Sequence, residues 1–188
     1  MAKLKALTPL GAYEPLVDEF SGLSIREVTD RALASLAARI GQEQACAVAA
    51  KALLGADLPE PQTWAAAGDF TAWWMGPDQW MLDAEYAKHT LLAAEVKTAV
   101  GDAASVTEQT DGWCRFDLEG PCCFDVLERL CQLDLRSGAA GDAQRCSLEH
   151  VGVFLLCRAP GQSYSVLGPR SSAASLHHAL VTAAGSVL

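Results

Sequence analysis

The stretch Phe70-Thr71-Ala72-Trp73-Trp74-Met75-Gly76-Pro77-Asp78-Gln79-Trp80-Met81-Leu82-Asp83-Ala84 decides how the chain is read. β-Prone aromatic and aliphatic residues flank a Gly-Pro-Asp-Gln turn, and proline presets φ at the second turn position, so the stretch predicts a hairpin. Consecutive residues of a strand point to opposite faces of the sheet, which means that Trp73 and Trp74 cannot both enter one core. One is expected beneath a helix; the other, with Trp80 on the paired strand, needs separate cover. Aromatic side chains are enriched at interface cores, and Trp73, Trp74 and Trp80 are therefore candidate interface residues. Cover from within the chain, by a helix or by the N-terminal arm, is the competing reading.

Upstream of the hairpin, residues 23–28 alternate in the manner of a strand. Leu33, Leu36, Ala37 and Ile40 have helical spacing, but alanine carries little weight in any periodicity, and a strand over 32–40 fits nearly as well. Residues 41–54 are rich in helix formers and stop at Gly55, with Pro59 and Pro61 beyond. Pro9, Gly11, Pro15 and Gly22 punctuate residues 1–22, which read as an extended N-terminal arm.

Downstream, residues 85–100 read as an amphipathic helix closed by Gly101. Residues 105–109 and 113–118 are predicted to pair about Asp111-Gly112, a strong hairpin dipeptide. Gly120-Pro121 opens a helix carrying Val126, Leu127 and Leu130 on one face. Strands over 143–149, 151–158 and 163–167 follow, then a last helix over 171–184 with Leu176, Leu180 and Val181.

The resulting order makes two similar halves, about 23–101 and 105–188, in which strand–Gly-Pro recurs at Gly76-Pro77, Gly120-Pro121 and Gly168-Pro169. The fold class expected is α+β: a duplicated β-β-α-β-β-α unit, its antiparallel sheets carrying helices, within a single domain over 23–188.

Composition narrows the function classes. Fourteen Lys and Arg against 23 Asp and Glu give a net charge of −9, and a basic footprint for nucleic acid or anionic lipid is missing. A hydrophobic content of 51% is that of a globular domain. The seven cysteines are odd in number and have no framework spacing. Reduced thiols, no signal peptide and no membrane span together make a cytoplasmic location the expectation.

Several short motifs occur in register. Gly76-Pro77-Asp78-Gln79-Trp80-Met81-Leu82, Gln109-Thr110-Asp111-Gly112, Glu119-Gly120-Pro121, Leu133-Asp134-Leu135 and Gly168-Pro169-Arg170-Ser171 resemble the pattern of the gamma subunit of heterotetrameric sarcosine oxidase. The resemblance runs from about Leu23 to the C-terminus. That subunit is similar in fold to the folate-binding domain of aminomethyltransferases, which implies two strands over 24–40 in place of a helix.

The resemblance further implies a non-catalytic role in the oxidative demethylation of sarcosine to glycine, with hydrogen peroxide and either formaldehyde or 5,10-methylenetetrahydrofolate as the other products. The implied partners are alpha, beta and delta subunits. FAD, FMN, NAD, zinc and tetrahydrofolate are expected on those subunits, and no cofactor, metal or catalytic residue in this chain. Nothing in the sequence reads as a Rossmann fingerprint or a Walker motif.

The alternative is a folate-binding aminomethyltransferase-like protein with its own activity. The related transferases carry an aspartate eleven residues before the motif glycine, and here that position is Gln109. An amide cannot serve as a carboxylate base or stabilise a cationic iminium by full charge. Asp111, two residues on, is the sole rescue candidate. Cys122, Cys123 and Cys131 lack metal-ligand spacing, and His89, His150, His177 and His178 have no evident ligand partners.

Overall fold

The computed structural model describes residues 5–188. Its elements are β1 (Val17–Phe20), β2 (Leu23–Val28), β3 (Arg31–Ala38), α1 (Glu43–Leu54), β4 (Trp64–Ala67), β5 (Phe70–Gly76), β6 (Gln79–Glu85), α2 (Leu92–Val100), β7 (Ala104–Glu108), β8 (Trp113–Glu119), α3 (Cys123–Leu127), β9 (Ala143–Leu148), β10 (Val151–Ala159), β11 (Ser163–Pro169) and α4 (Ala173–Val187). They build two antiparallel sheets with strand orders β1-β2-β8-β11-β10-β9 and β4-β5-β6-β3-β7. The α+β class, with helices on antiparallel sheets, is the one expected.

The chain divides into two compact units, one of residues 30–110 and one of Asp111–Leu188 joined by the N-terminal segment up to Thr29. This corrects the expectation of two sequential halves at 23–101 and 105–188. The cause is β2, which pairs with β8 from Ser24↔Glu119 to Val28↔Arg115, so the first strands complete the sheet of the second half.

In the unit of residues 30–110, the core lies between the sheet and α1 with α2. Ala32, Ala34 and Leu36 of β3, Ala72 of β5, Leu82 and Ala84 of β6 and Ala104 of β7 meet Cys46, Ala50 and Leu54 of α1 and Leu92, Val96 and Val100 of α2. Alanines on the sheet leave room for the helices, which is why β3 carries so weak a hydrophobic pattern. Gly55 ends α1 in the left-handed conformation (φ 77°), its N–H bonded to Lys51 O. The predicted helix over 85–100 is corrected: β6 runs to Glu85, held opposite Arg31, and Tyr86 N–H extends the ladder to Asp30 O. The helix begins only at Leu92.

In the other unit, Leu23, Ile25, Phe116, Leu118, Val153, Leu155 and Val166 form a sheet face beneath Val126 and Leu127 of α3 and Leu176 and Leu180 of α4. The arm predicted for residues 1–22 contains a strand, since β1 pairs with β2 from Val17↔Arg26 to Phe20↔Leu23. Its first four residues lie outside those described. Ahead of β1 the chain is held by Glu27, 1% exposed, whose carboxylate accepts the N–H groups of Leu10 (3.0 Å) and Leu16 (3.2 Å). Two acceptor oxygens thereby satisfy two donors that no ladder reaches.

The Asp111-Gly112 hairpin is a further correction. Thr110–Gly112 is a single 3-10 turn, β7 pairs with β3, and β8 pairs with β2 and β11 in the other sheet. The dipeptide supplies a turn, but the strand partners on either side lie elsewhere in sequence.

Candidate functional site

The β5–β6 hairpin carries the residues that sequence reasoning singled out. Its loop is Pro77-Asp78, with Gly76 opposite Gln79 and Asp78 at φ 55°, the positive value that the third position of such a turn demands and that aspartate tolerates. Asp78 O accepts Ala38 N–H at 2.9 Å, which fixes the turn against β3. Across the hairpin Trp74 faces Trp80, and Trp73 faces Met81.

The two pairs have different fates. Trp73 is 0% exposed and offers no surface to a partner, which corrects its inclusion among interface candidates. Trp74 and Trp80 are partly exposed on the opposite side of the sheet. Trp80 packs on the helix-side core, and its Nε1–H donates to Pro59 O at 2.9 Å. Trp74 N–H donates to Thr63 O, and Thr63 Oγ donates in turn to Glu60 O. These bonds hold residues 57–63 along the indoles.

The result is a groove of about 490 Å³ lined by Trp74, Trp80, Pro59, Pro61 and Pro77, with the carboxylates of Asp57, Glu60 and Asp78 in its wall. Its size is that of a recognition site, and its rigid proline and indole surfaces are apolar with an acidic edge. Lys51 pairs with Asp57 at 2.9 Å, a solvent-exposed contact that costs little to exchange. The prolines were read only as helix stops; their role as groove wall follows from the Trp80–Pro59 bond, which no periodicity announces.

The corner after β7 holds the positions that a transferase would use. Glu108 Oε1 accepts the N–H groups of Gln109 (3.1 Å) and Thr110 (3.0 Å) and the Thr110 hydroxyl, while Thr110 Oγ1 accepts Leu33 N–H. Glu108 is thus spent on the turn. Asp111, the rescue candidate, sits in the turn and not on a strand, so its two-residue spacing from Gln109 does not put the two side chains on one sheet face. It is 94% exposed and lies 3.6 Å from Arg170. Of the two carboxylates that flank Gln109 in sequence, Glu108 is bonded within the turn and Asp111 faces solvent beside Arg170.

A second charged array occupies the sheet face away from α3 and α4. Asp117 of β8 meets Arg115 Nε at 2.8 Å and Arg158 at 3.0 Å. Burial pushes its carboxyl up, but the Arg115 guanidinium beside it, then Arg158, prevail and hold it below the usual carboxylate range. Arg158 also reaches Glu119 at 3.5 Å, and the four side chains make a structural ion-pair network.

Among the histidines, His89 Nδ1 bonds Glu95 at 2.7 Å, and His177 Nε2 bonds Asp18 at 2.7 Å with its ring tilted against that of Phe116. Among the described residues there is no cluster of three or more His, Cys, Asp or Glu able to hold a metal ion.

Comparison with solved structures supplies the context for this geometry. A chain of the heterotetrameric sarcosine oxidase from Corynebacterium sp. U-96, determined in complex with pyrrole 2-carboxylate, superimposes with a TM-score of 0.75 and 28% identity over 88% of this chain and 85% of that one. The chain is similar to a subunit of sarcosine oxidase. The glycine cleavage system aminomethyltransferase T from Bartonella henselae matches at TM-score 0.67 and 13% identity, over 95% of this chain and 57% of that one. That likeness shows the fold alone. No protein-family model and no curated protein matches the sequence. Among the described residues, no helix of this sarcosine-oxidase-like chain is long and apolar enough to cross a membrane.

Proposed function

We propose that the chain is the gamma subunit of a heterotetrameric, flavin-dependent sarcosine oxidase, acting in assembly and without an active site of its own. The observation that carries this reading is the 28% identity maintained at TM-score 0.75 over nearly the whole of both chains. The motifs around Gly76-Pro77, Gly120-Pro121 and Gly168-Pro169 support the gamma assignment. On this reading the partners are cytoplasmic alpha, beta and delta subunits, which carry FAD, FMN, NAD, zinc and tetrahydrofolate, and this chain contributes surface.

The groove at Trp74 and Trp80 is the surface we assign to a partner subunit, with an extended basic segment as its occupant. Indole faces attract guanidinium and ammonium groups, and the carboxylates of Asp57, Glu60 and Asp78 complement them. Co-expression of the four subunits with a tag on this chain tests the reading. The expected result is retention of the flavin-containing chains. A flavin complex that assembles and oxidises sarcosine at the normal rate without this chain overturns it. Micromolar binding of tetrahydrofolate to the isolated chain would instead support the aminomethyltransferase-like alternative.

A further inference from the structure

The sheet that begins with β1 and β2 ends at β1, and that edge is open. Glu27 N–H donates to Leu16 O at 2.8 Å and the register runs on from Val17↔Arg26, so Leu16, Asp18 and Phe20 turn their backbone groups inward to β2. The N–H and C=O groups of Val17 and Glu19 turn outward, and none of the described residues bonds them. Side chains alternate across the sheet: Asp18 bonds His177 of α4 and Phe20 packs on the core below it, while Val17 and Glu19 share the other face. Unpaired groups in a row along an edge are a template for a further strand.

Exposed apolar surface gathers at the same place. Leu7, Tyr13, Leu16 and Val17 are four of the nine large hydrophobics exposed among the described residues, so this short stretch holds nearly half of them. The segment is fixed in advance: Arg170 donates to Leu7 O at 2.8 Å, Thr8 Oγ1 accepts Ala12 N–H at 3.2 Å, and Glu27 holds Leu10 and Leu16. A surface ordered before binding loses little entropy when a partner lands on it. A second copy of the chain fits the edge poorly. Two copies about a two-fold axis pair antiparallel, outward residue to outward residue. Val17 on Val17 sets Glu19 against Pro15, which has no N–H to give. Val17 on Glu19 sets Asp18 directly on Asp18, and Glu19 on Glu19 again opposes like charges.

We propose that β1 accepts an extended strand from a different subunit, one that brings Lys or Arg opposite Glu19 and an aliphatic residue opposite Val17, two positions along on the same face. The backbone groups of Val17 and Glu19 supply the hydrogen bonds, and the side chains supply the choice of partner. Glu14 and Glu19 are the exposed carboxylates of this edge; Arg26, across from Val17, stands one strand in from it. Charges that repel a second copy thereby select a basic strand. The inference rests on the reading of the chain as a subunit of an oxidase assembly, and it adds a contact to the groove at Trp74 and Trp80.

The test is amide hydrogen exchange on the full chain alone and in the complex co-expressed with the other sarcosine oxidase subunits. The Val17 and Glu19 amides should exchange fast in the isolated chain and slow by about tenfold or more in the complex. Glu19→Pro removes an outward N–H and no ladder bond, so the unfolding midpoint should hold while retention of the flavin-containing chains falls about tenfold. Glu19→Lys should weaken retention as well, and less so in high salt. Val17 and Glu19 amides that stay fast in the complex overturn the proposal, and that reading stands even if Glu19→Pro misfolds. Equal retention of both variants and the original also overturns it, as does protection in the isolated chain that rises with concentration, the mark of a second copy. In these cases the oxidase reading survives. An unmutated chain that retains no flavin-containing chain overturns the oxidase reading and this partner together.

Discussion

Single residues carry more than their share where charge or backbone is enclosed. Asp117 is the sharpest instance, since Asp117→Asn removes the carboxylate that the partly buried Arg115 and Arg158 share and leaves Arg158 to the more exposed Glu119, 3.5 Å away. A loss of about 3 kcal/mol is expected, read from urea unfolding at pH 7. Because the folded carboxyl is held below its unfolded value, its stabilisation is complete above the ordinary carboxylate range and drains away as pH falls through the folded value. Acid should therefore destabilise the unmutated protein more steeply than Asp117→Asn. Gly120 has φ 132°, and a Cβ there would lie 2.3 Å from Gly22 O, a backbone atom with no rotamer to yield. Gly120→Ala is expected to cost about 2–4 kcal/mol, while Gly152→Ala, whose Cβ meets nothing within 4 Å, should lie near neutral.

Among the elements, those built from chain neighbours were readable and those built from distant partners were not. The β5–β6 hairpin is legible because turn, flanks and pairing all fall within residues 70–85, so proline, aspartate and aromatics report the same event. Strands β7 and β8 carry equally good local signals, yet their partners β3, β2 and β11 are remote, and no local pattern shows it. Strand β4 was missed because Trp64-Ala65-Ala66-Ala67 has no alternation to detect. The groove was half legible: Trp74 and Trp80 stood out, whereas Pro59 and Pro61 gain meaning only from the Trp80 bond. The Glu27 clamp lay beyond any pattern, because it joins a strand carboxylate to amides 11 and 17 residues away. Glu27→Gln replaces an acceptor by a donor facing an N–H. Amide exchange at Leu10 or Leu16 should accelerate about tenfold, with β10 and β11 unchanged.

At the scale of the molecule, a charge of −9 and an aromatic groove with an acidic edge suit a chain that works within an assembly. Trp74→Ala should leave the unfolding midpoint of the isolated chain within about 0.5–1 kcal/mol of the original, since Trp74 lies at the groove and outside the helix-side core. The same variant should weaken retention of the flavin-containing chains at least tenfold in co-purification, a loss of about 1.4 kcal/mol or more. Salt titration of the unmutated complex gives a second reading, because pairing of Asp57, Glu60 and Asp78 with basic groups would be screened. Equal retention of Trp74→Ala and the original would remove the groove from the interface.

The pairing of β2 with β8 also sets an order of events during synthesis. The strand Leu23–Val28 leaves the ribosome well before Trp113–Glu119 is made, whereas residues 30–110 hold all the partners of their own sheet. The interrupted unit must keep the apolar strand β2, paired with β1 on one edge, waiting on the other while the continuous one closes. A nascent chain stalled a few tens of residues past Thr110 should thus display a protease-resistant middle and a cleavable beginning, and gain protection at Leu23 only once β8 has emerged.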